Sequence, residues 1–402
     1  MYQIAIMGFG TIGSGVYDIV AANADILKQK SGQEIGIRRI LDLREFPGHP
    51  AEQLLTHSFE DILNDPEISL VVETMGGVEP AFTFEKQLLL AGRHVVTSNK
   101  ELVEKKGAEL FEAARAGGAH FYYEASVGGG IPIIRNLSDC IVADRIDEIS
   151  GILNGTTNYI LTQMTSGGVS YEEALVSALA LGYAEKDPTA DVEGLDAGRK
   201  IAILASMVLG EAVHLEDVTT EGITGLTSTD FSYARELNMS IKLVADARFE
   251  DGGVRAIVAP AMVPVSNALY EVSDVLNAVT VHGDMVDTLM FYGRGAGSHA
   301  TASAVLADVV CAARGVSPAC HGGWSGVHAR ILDPLEAVHA NFIRVSGSID
   351  GVYELIRIFG GGSPVSAKKK EEFGFVTPVM SEAEFREKTA QLDGFIKRIR
   401  VK

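Results

Sequence analysis

Residues 2–15 read YQIAIMGFGTIGSG, and a strand, a sharp turn and a helix in that order accommodate them best. Tyr2, Ile4 and Ile6 alternate with Gln3, Ala5 and Met7, as in a short buried strand. The strand enters Gly8-Phe9-Gly10-Thr11-Ile12-Gly13, a G-x-G-x-x-G, and an apolar-periodic run over 16–27 predicts a helix behind it. Gly8 permits the turn, Gly10 lets backbone approach a pyrophosphate, and Gly13 lets helix and strand pack closely. N–H groups at the start of the helix then favour bound phosphate. A bare strand-turn-helix would need none of these glycines, so the context points to a dinucleotide.

The stretches that follow continue the pattern. Strands are predicted over 34–41, 69–73, 94–97 and 121–124, and helices over 58–63 and 80–91, with another opening at Lys100. Strand and helix in alternation predict an α/β domain over 1–125, a Rossmann-type doubly wound parallel sheet, with its ligand beyond the carboxyl ends of the strands. Three features fall at such ends: Asp42, Met75-Gly76 and Ser98-Asn99-Lys100. Asp42 can take adenosine ribose hydroxyls or simply close a turn, while Arg39 and Arg44 beside it can receive a 2′-phosphate instead.

Beyond Glu124 the pattern changes. ASVGGGIP at 125–132 is a glycine-rich loop, a strand is predicted over 144–153, and Asn154 to Asn158 reads as a polar turn before a helix over 159–165. After a helix over 171–181 comes GYAEKDP at 182–188, then Asp191, Asp196 and Lys200 on a helix over 193–209. Asp196 and Lys200 are four residues apart and share a helix face. A surface pair would look the same, but the helix is otherwise apolar and follows a carboxylate-rich loop, which suggests the wall of a site. Strands over 242–249, 254–263, 276–282 and 287–292, with a short helix over 266–272, predict a second α+β domain with a mixed sheet over 126–297. GRGAG at 293–297 leads into a helix within 298–320 that is apolar enough to pack back on the first domain. The tail, 338–402, reads βαββαβ: strands over 342–345, 365–368, 373–379 and 395–401, and helices over 352–359 and 382–392.

Composition excludes several functions. A net charge of −19 and a pI near 5.0 disfavour nucleic acid and anionic membrane as partners. No apolar run reaches about 18 residues, so no membrane span is expected. Cys140, Cys311 and Cys320 lack metal-ligand spacing and read as reduced core thiols of a cytoplasmic protein. No signal peptide is evident before the first strand.

Taken together, GFGTIGSG, TSNK at 97–100, YEASVGGGIPIIRNL at 123–137, GILNGTTNYIL at 151–161, GYAEKDPTADVEGLDAGRK at 182–200 and GRGAG at 293–297 resemble the homoserine dehydrogenase family over nearly the whole chain. The resemblance implies reversible NAD(P)H-linked interconversion of L-aspartate 4-semialdehyde and L-homoserine, on the route to threonine and methionine. It makes Lys200 the proton donor, Lys100 a second lysine at the reacting oxygen, and Asp196 an acid that orients substrate or Lys200. It gives substrate binding to Glu185, Tyr183, Asp191, Asn154 and Thr156. It gives the cofactor, NADP or NAD, to Gly8, Phe9, Gly10, Thr11, Ile12, Gly13, Asp42, Arg44, Met75, Gly76, Ser98, Lys100, Gly182 and Gly297. A monovalent cation, commonly sodium, is implied at Glu124, Val127, Gly129 and Ile131. The tail resembles a short ACT-type module with a threonine effector, and the family suggests a homodimer or homotetramer. Leu41 stands where many relatives carry an arginine, which leaves both cofactors open. Two other readings compete: an aspartate-semialdehyde dehydrogenase, which needs a catalytic cysteine, and a nucleotide-sensing regulatory protein.

Overall fold

The computed structural model describes residues 1–317, 323–366 and 371–402, so Cys320, Lys368 and the far end of the 298–320 segment lie outside the described residues. The chain forms two compact units. The first combines residues 1–146, 202–215 and 282–329, and the second combines 147–201, 216–281 and 330–402.

In the first unit, strands β1 (Tyr2–Met7), β2 (Ile35–Leu41), β3 (Leu55–Thr56), β4 (Ile68–Glu73), β5 (His94–Thr97) and β6 (Phe121–Tyr122) form a parallel sheet in the order β3-β2-β1-β4-β5-β6. Such a sheet is covered on both faces, which is why Ile4 to Met7 and Leu70 to Val72 are apolar without interruption and have no exposure. Helices α1 (Thr11–Ala22), α2 (Ala24–Ser31), α3 (Glu60–Leu63), α4 (Ala81–Leu90) and α5 (Lys100–Gly117) make the connections. The helix expected over 16–27 is therefore two helices. Asn23, at φ −117° and ψ 28°, separates them, in keeping with the preference of Asn for caps over helix interiors. Strand β3 is too short to leave a periodic signal. The helix Ser298–Ala313 packs Ala302, Val305 and Val309 into the same core as Val16 and Val20 of α1. A Cβ on Gly15 would lie 2.5 Å from Ser298 Oγ, so this packing depends on glycine.

In the second unit, β7 (Ile146–Ile152) is followed by α6 (Gly155–Ser166), α7 (Tyr171–Ala180), α8 (Thr189–Val192) and the start of α9 (Leu195–Leu209), whose residues from Ala202 on are counted with the first unit. The polar run expected as a turn at 154–158 is the first turn of α6, because the Asn154 side chain accepts from Thr157 N and caps the helix. A long hairpin pairs Met239–Glu250 with Gly253–Pro264 through Asp251-Gly252, both at positive φ. The helix expected over 266–272 is a chain of turns instead. Asn267, Tyr270 and Val272 donate to carbonyls three residues back, and the Asn267 side chain takes Leu269 N. A helix over Ser228–Glu236, absent from the sequence reading, starts with a capping box of Thr227 and Asp230.

The tail contains strands Val338–Ser346, Ser363–Val365, Glu372–Val376 and Phe395–Val401 and helices Val352–Phe359 and Glu382–Thr389, the expected βαββαβ order. In space the strands run Phe395–Val401, Val338–Ser346, Glu372–Val376, Ser363–Val365. The outer one, Phe395–Val401, also pairs in parallel with Gly253–Pro264, so the tail extends the second unit's mixed sheet. Of the cysteines expected in the core, Cys140 is exposed at the end of its short helical segment, and Cys311 is half-buried at the margin of the first unit's core.

Candidate active site

The first unit's site lies at the carboxyl ends of β1, β2 and β4. A cavity of roughly 530 Å³ is lined by Gly8, Gly10, Asp42, Arg44, Thr74, Met75 and Gly76, with His57, Phe59 and Phe84 on its wall. Gly8 has φ +92°, and a Cβ there would stand 2.9 Å from the Met75 backbone. A Cβ on Gly13 would lie 2.0 Å from Gly8 O. Thr11 and Ile12 open α1. Gly297, at φ +116°, caps the helix Ser298–Ala313, and Ser298 Oγ donates to Thr11 O at 2.6 Å, so this second glycine turn meets the first. The Phe9 ring is buried against Tyr17, Phe46 and His49, and its N–H is turned to Asp42 at the cavity wall.

Asp42 is a fully engaged carboxylate. Its two oxygens accept from Phe9 N at 2.7 Å and from Arg44 N, Nε and Nη2 at 2.9 Å each. Four donors take up the roughly four acceptor positions of a carboxylate. Hydrogen bonding by Arg44 holds Asp42 far below the usual carboxylate range. His57, missed by sequence reasoning, faces the Asp42 carbonyl at 2.6 Å and a Glu45 oxygen at 2.9 Å. Both partners accept, and the hydrogen bond to Asp42 O, with that to Glu45, raises the His57 pKa above its ordinary value.

At the neighbouring strand ends, buried Glu73 accepts from Met75 N at 2.6 Å and Gly76 N at 3.3 Å, which shapes the turn after β4. Ser98 N donates to Glu73 O, and Asn99 caps α5 by accepting from Leu102 N, which sets half-buried Lys100 in the helix's first turn. The sequence signal for Glu73 was a lone acid ending an apolar strand. The loop after β6 places Glu124 at 3% exposure, its carboxylate accepting from Ile134 N and Arg135 N at 2.9 Å. Val127 and Ile131 are buried, and Gly129 has φ +54°.

In the second unit, the apolar face of α9 carries two charged residues inward. Asp196 is 4% and Lys200 8% exposed. Lys200 Nζ donates to Asp196 Oδ2 and to Leu153 O, both at 2.7 Å. Asn154 Nδ2 donates to Asp196 Oδ2 at 2.9 Å and to Asp191 Oδ1 at 2.7 Å. Thr156 Oγ1 donates to Tyr183 O at 2.6 Å, which ties the first turn of α6 to the loop after α7. The structure thus brings Asn154, Asp191, Asp196 and Lys200 into one buried network, with Thr156 and Tyr183 at its edge. Glu185 and Gly182 lie on the exposed part of that loop. An ammonium has three donors, and the two bonds above leave one for an incoming oxygen. A lysine held in this way can give a proton to, or take one from, a substrate oxygen.

No helix among the described residues is long and apolar enough to cross a membrane. Two family models match consecutive parts of the chain: "Homoserine dehydrogenase, NAD binding domain" over 8–124 and "Homoserine dehydrogenase" over 132–310. The homoserine dehydrogenase of Synechocystis is 44% identical over 315 residues, covering 77% of this chain and 72% of that protein. The Bacillus subtilis enzyme of the same name is 41% identical over 312 residues, with 77% and 72% covered. Among solved structures, a homoserine dehydrogenase from Thiobacillus denitrificans superimposes with a TM-score of 0.91 at 36% identity, covering 100% of this chain and 98% of that one. A hyperthermophilic archaeal homoserine dehydrogenase in complex with NADPH gives a TM-score of 0.66 at 27% identity, with 77% and 97% covered. On these matches, the glycine loop and the lysine network belong to one lineage, and the chain is a member of the homoserine dehydrogenase family of NAD(P)-dependent oxidoreductases.

Proposed function

We propose that the chain interconverts L-aspartate 4-semialdehyde and L-homoserine in amino-acid biosynthesis, with Lys200 as the group that moves the proton. The buried Lys200–Asp196–Asn154–Asp191 network carries this reading. Burial would be an expensive place for a lysine without a task, because desolvating an ion pair costs several kcal/mol. The first unit's cavity fits a dinucleotide in shape and chemistry: glycines where a Cβ would collide, and α1 opening on it. Bound NAD(P)H supplies the hydride. Lys200 donates its remaining N–H to the carbonyl oxygen, opposes the alkoxide charge and delivers the proton. Asp196 keeps Lys200 aimed, and Asn154 fixes Asp196 and Asp191. Lys100, Glu185, Tyr183 and Thr156 are assigned, with the network, to the amino acid and its reacting oxygen.

For the cofactor we assign a preference for NADP. Asp42 has no acceptor left for ribose hydroxyls unless Arg44 is displaced, whereas Arg44 presents a permanent positive charge beside it. We assign the cation to main-chain carbonyls of Glu124, Val127, Gly129 and Ile131, supported by the tight turn at Gly128 and Gly129 (φ +73° and +54°). The tail's strand order supports an ACT-like effector module over 338–402, for which threonine is the first compound to test, beside a nucleotide domain over 1–125 and a substrate domain over 126–297. We assign a cytoplasmic homodimer or homotetramer from the family likeness, and the net charge of −19 supports a protein that avoids nucleic acid and anionic membrane. A spectrophotometric assay of homoserine oxidation with NADP and then NAD, with and without threonine, tests the whole reading. Absence of turnover with either cofactor would sink it.

A further inference from the structure

Two carboxyl groups lie beneath the turn after β4, and neither has been given a role in the chemistry above beyond shaping that turn. Glu73 ends β4, Glu85 sits in the middle of α4, and both have 0% exposure. Their neighbours along the chain, Val71 and Val72 on β4 and Leu88 and Leu89 on α4, are also wholly buried and apolar. Glu73 is well supplied with donors. Met75 N and Gly76 N bind Oε1, and Thr97 Oγ1 donates to Oε2 at 2.6 Å. Glu85 is not: among the described residues no donor reaches either of its oxygens. Its polar neighbours are the Glu73 carboxyl and the Thr97 hydroxyl, and that hydroxyl is already given to Glu73.

Two ionised carboxylates only accept, so they cannot hydrogen-bond to each other. A contact of this kind, closed off from water, needs a proton between its members, and like charges sharing a buried site hold one proton tightly. We propose that Glu73 and Glu85 share one proton, and that Glu85 acts through it as a positioning residue for the cofactor turn and for the helix that begins at Lys100. This rests on the reading that the first unit's cavity binds the nicotinamide cofactor.

The route from Glu85 to those elements is continuous. The shared proton fixes the Glu73 carboxyl, and Glu73 orders the amides of Met75 and Gly76 at the cavity wall. Its other oxygen fixes the Thr97 hydroxyl, which accepts from Asn99 N at 3.0 Å. Asn99 in turn donates to Gly77 O at 2.6 Å and caps α5. The groups facing the pair are Thr97 from β5, the amides of the turn, and the two glutamates themselves from β4 and α4. None is a cation. Burial and Glu73 together push Glu85 well above the usual carboxylate range. Loss of the shared proton at alkaline pH leaves two buried anions that repel, and the turn that lines the cavity loosens.

The test uses the full chain. Carboxyl-carbon NMR of the protein labelled at glutamate should show one glutamate still protonated at neutral pH, and the signal should vanish in Glu85→Gln. The side-chain amide introduced by Glu85→Gln donates to Glu73 without titrating. NADPH affinity should therefore weaken at least about fivefold in the wild type between neutral pH and about pH 9, and less than about twofold in Glu85→Gln. If Glu85→Gln does not fold, Glu85→Leu serves for the NMR assignment. No glutamate protonated at neutral pH, or a signal that survives the substitution, overturns the shared proton. A Glu85→Gln affinity that tracks the wild type with pH overturns the positioning role. So does a wild type that carries the signal yet never binds NADPH, and in that case the homoserine assay fails as well, which locates the fault in the cofactor reading.

Discussion

Lys200 has two separable jobs, one in holding the second unit together and one in the chemistry, and a pair of substitutions can divide them. Lys200→Met alone leaves the Asp196 carboxylate, 4% exposed, with Asn154 as its remaining donor in the network described. Removing one member of a buried ion pair typically costs about 3–5 kcal/mol. At roughly 2–4 °C per kcal/mol for a domain of this size, the melting temperature should fall by about 6–20 °C. Adding Asp196→Leu replaces both charges by apolar groups of similar volume, which in other buried pairs is neutral or stabilising by about 1–4 kcal/mol. The double variant should therefore recover most of the lost melting temperature. Activity should not follow. Loss of a positioned proton donor lowers turnover by about 10²–10⁴, or about 3–5 kcal/mol of barrier. The assay is homoserine oxidation at saturating NADP, with NADPH binding followed separately by fluorescence. The expected result is a stable double variant with near-normal NADPH affinity and kcat at least about a hundredfold down. A double variant with kcat within about tenfold of wild type would refute the proton-transfer role and leave Lys200 as a structural residue.

Three other outcomes are expected. Arg44→Ala should raise the KM for NADPH about tenfold or more while changing that for NADH by less than about threefold, because it removes a 2′-phosphate ligand and frees Asp42 for ribose; equal effects in steady-state kinetics would count against the assignment. Burial first and Glu124 next push Asp308 from 3.8 up to about 7, against its 2.5 Å ion pair with Arg135. An acid raised in this way contributes stability that is present below its unfolded value and lost as pH rises through the folded one, about 4 kcal/mol here at about 1.4 kcal/mol per unit. Asp308→Asn should accordingly flatten the fall in melting temperature that calorimetry records between about pH 4 and 7, and an unaltered slope would disprove the linkage. Gly13→Ala places a methyl group 2.0 Å from Gly8 O, so it should destabilise the first unit by about 3 kcal/mol and abolish NADPH binding; a well-folded variant that binds normally would show that the loop can yield.

Much of the fold could be read before any coordinates. The buried strands announced themselves because a sheet covered on both faces needs unbroken apolar runs, as at Leu70 to Val72 and Val95 to Val96. Turns with obligatory chemistry were equally legible, notably the glycines before α1. What escaped was decided by a single side chain or by distant partners. Asn23 split one helix into two, Asn154 converted a polar turn into a helix start, and Asn267 held a string of turns where a short helix was expected. Within the site, the Asp196 and Lys200 pairing followed from helical spacing, but nothing local in the sequence placed Asn154 and Asp191 against it. His57 and Glu85 left no trace at all, since their partners, Asp42 and Glu73, come from other strands.

The position of Phe395–Val401 has a consequence for how the second unit is made. This strand lies between Gly253–Pro264 and Val338–Ser346, with Arg400 anchored to Glu221 and Lys402 to Glu148 and Asp246. Every other strand of that sheet leaves the ribosome earlier. While translation continues, the two halves flanking the seam each carry an open edge, a condition that invites pairing with another chain. A nascent protein stalled just short of this point should be the form that chaperones hold, and clipping the last strand from the finished protein should produce aggregation rather than a trimmed but soluble enzyme.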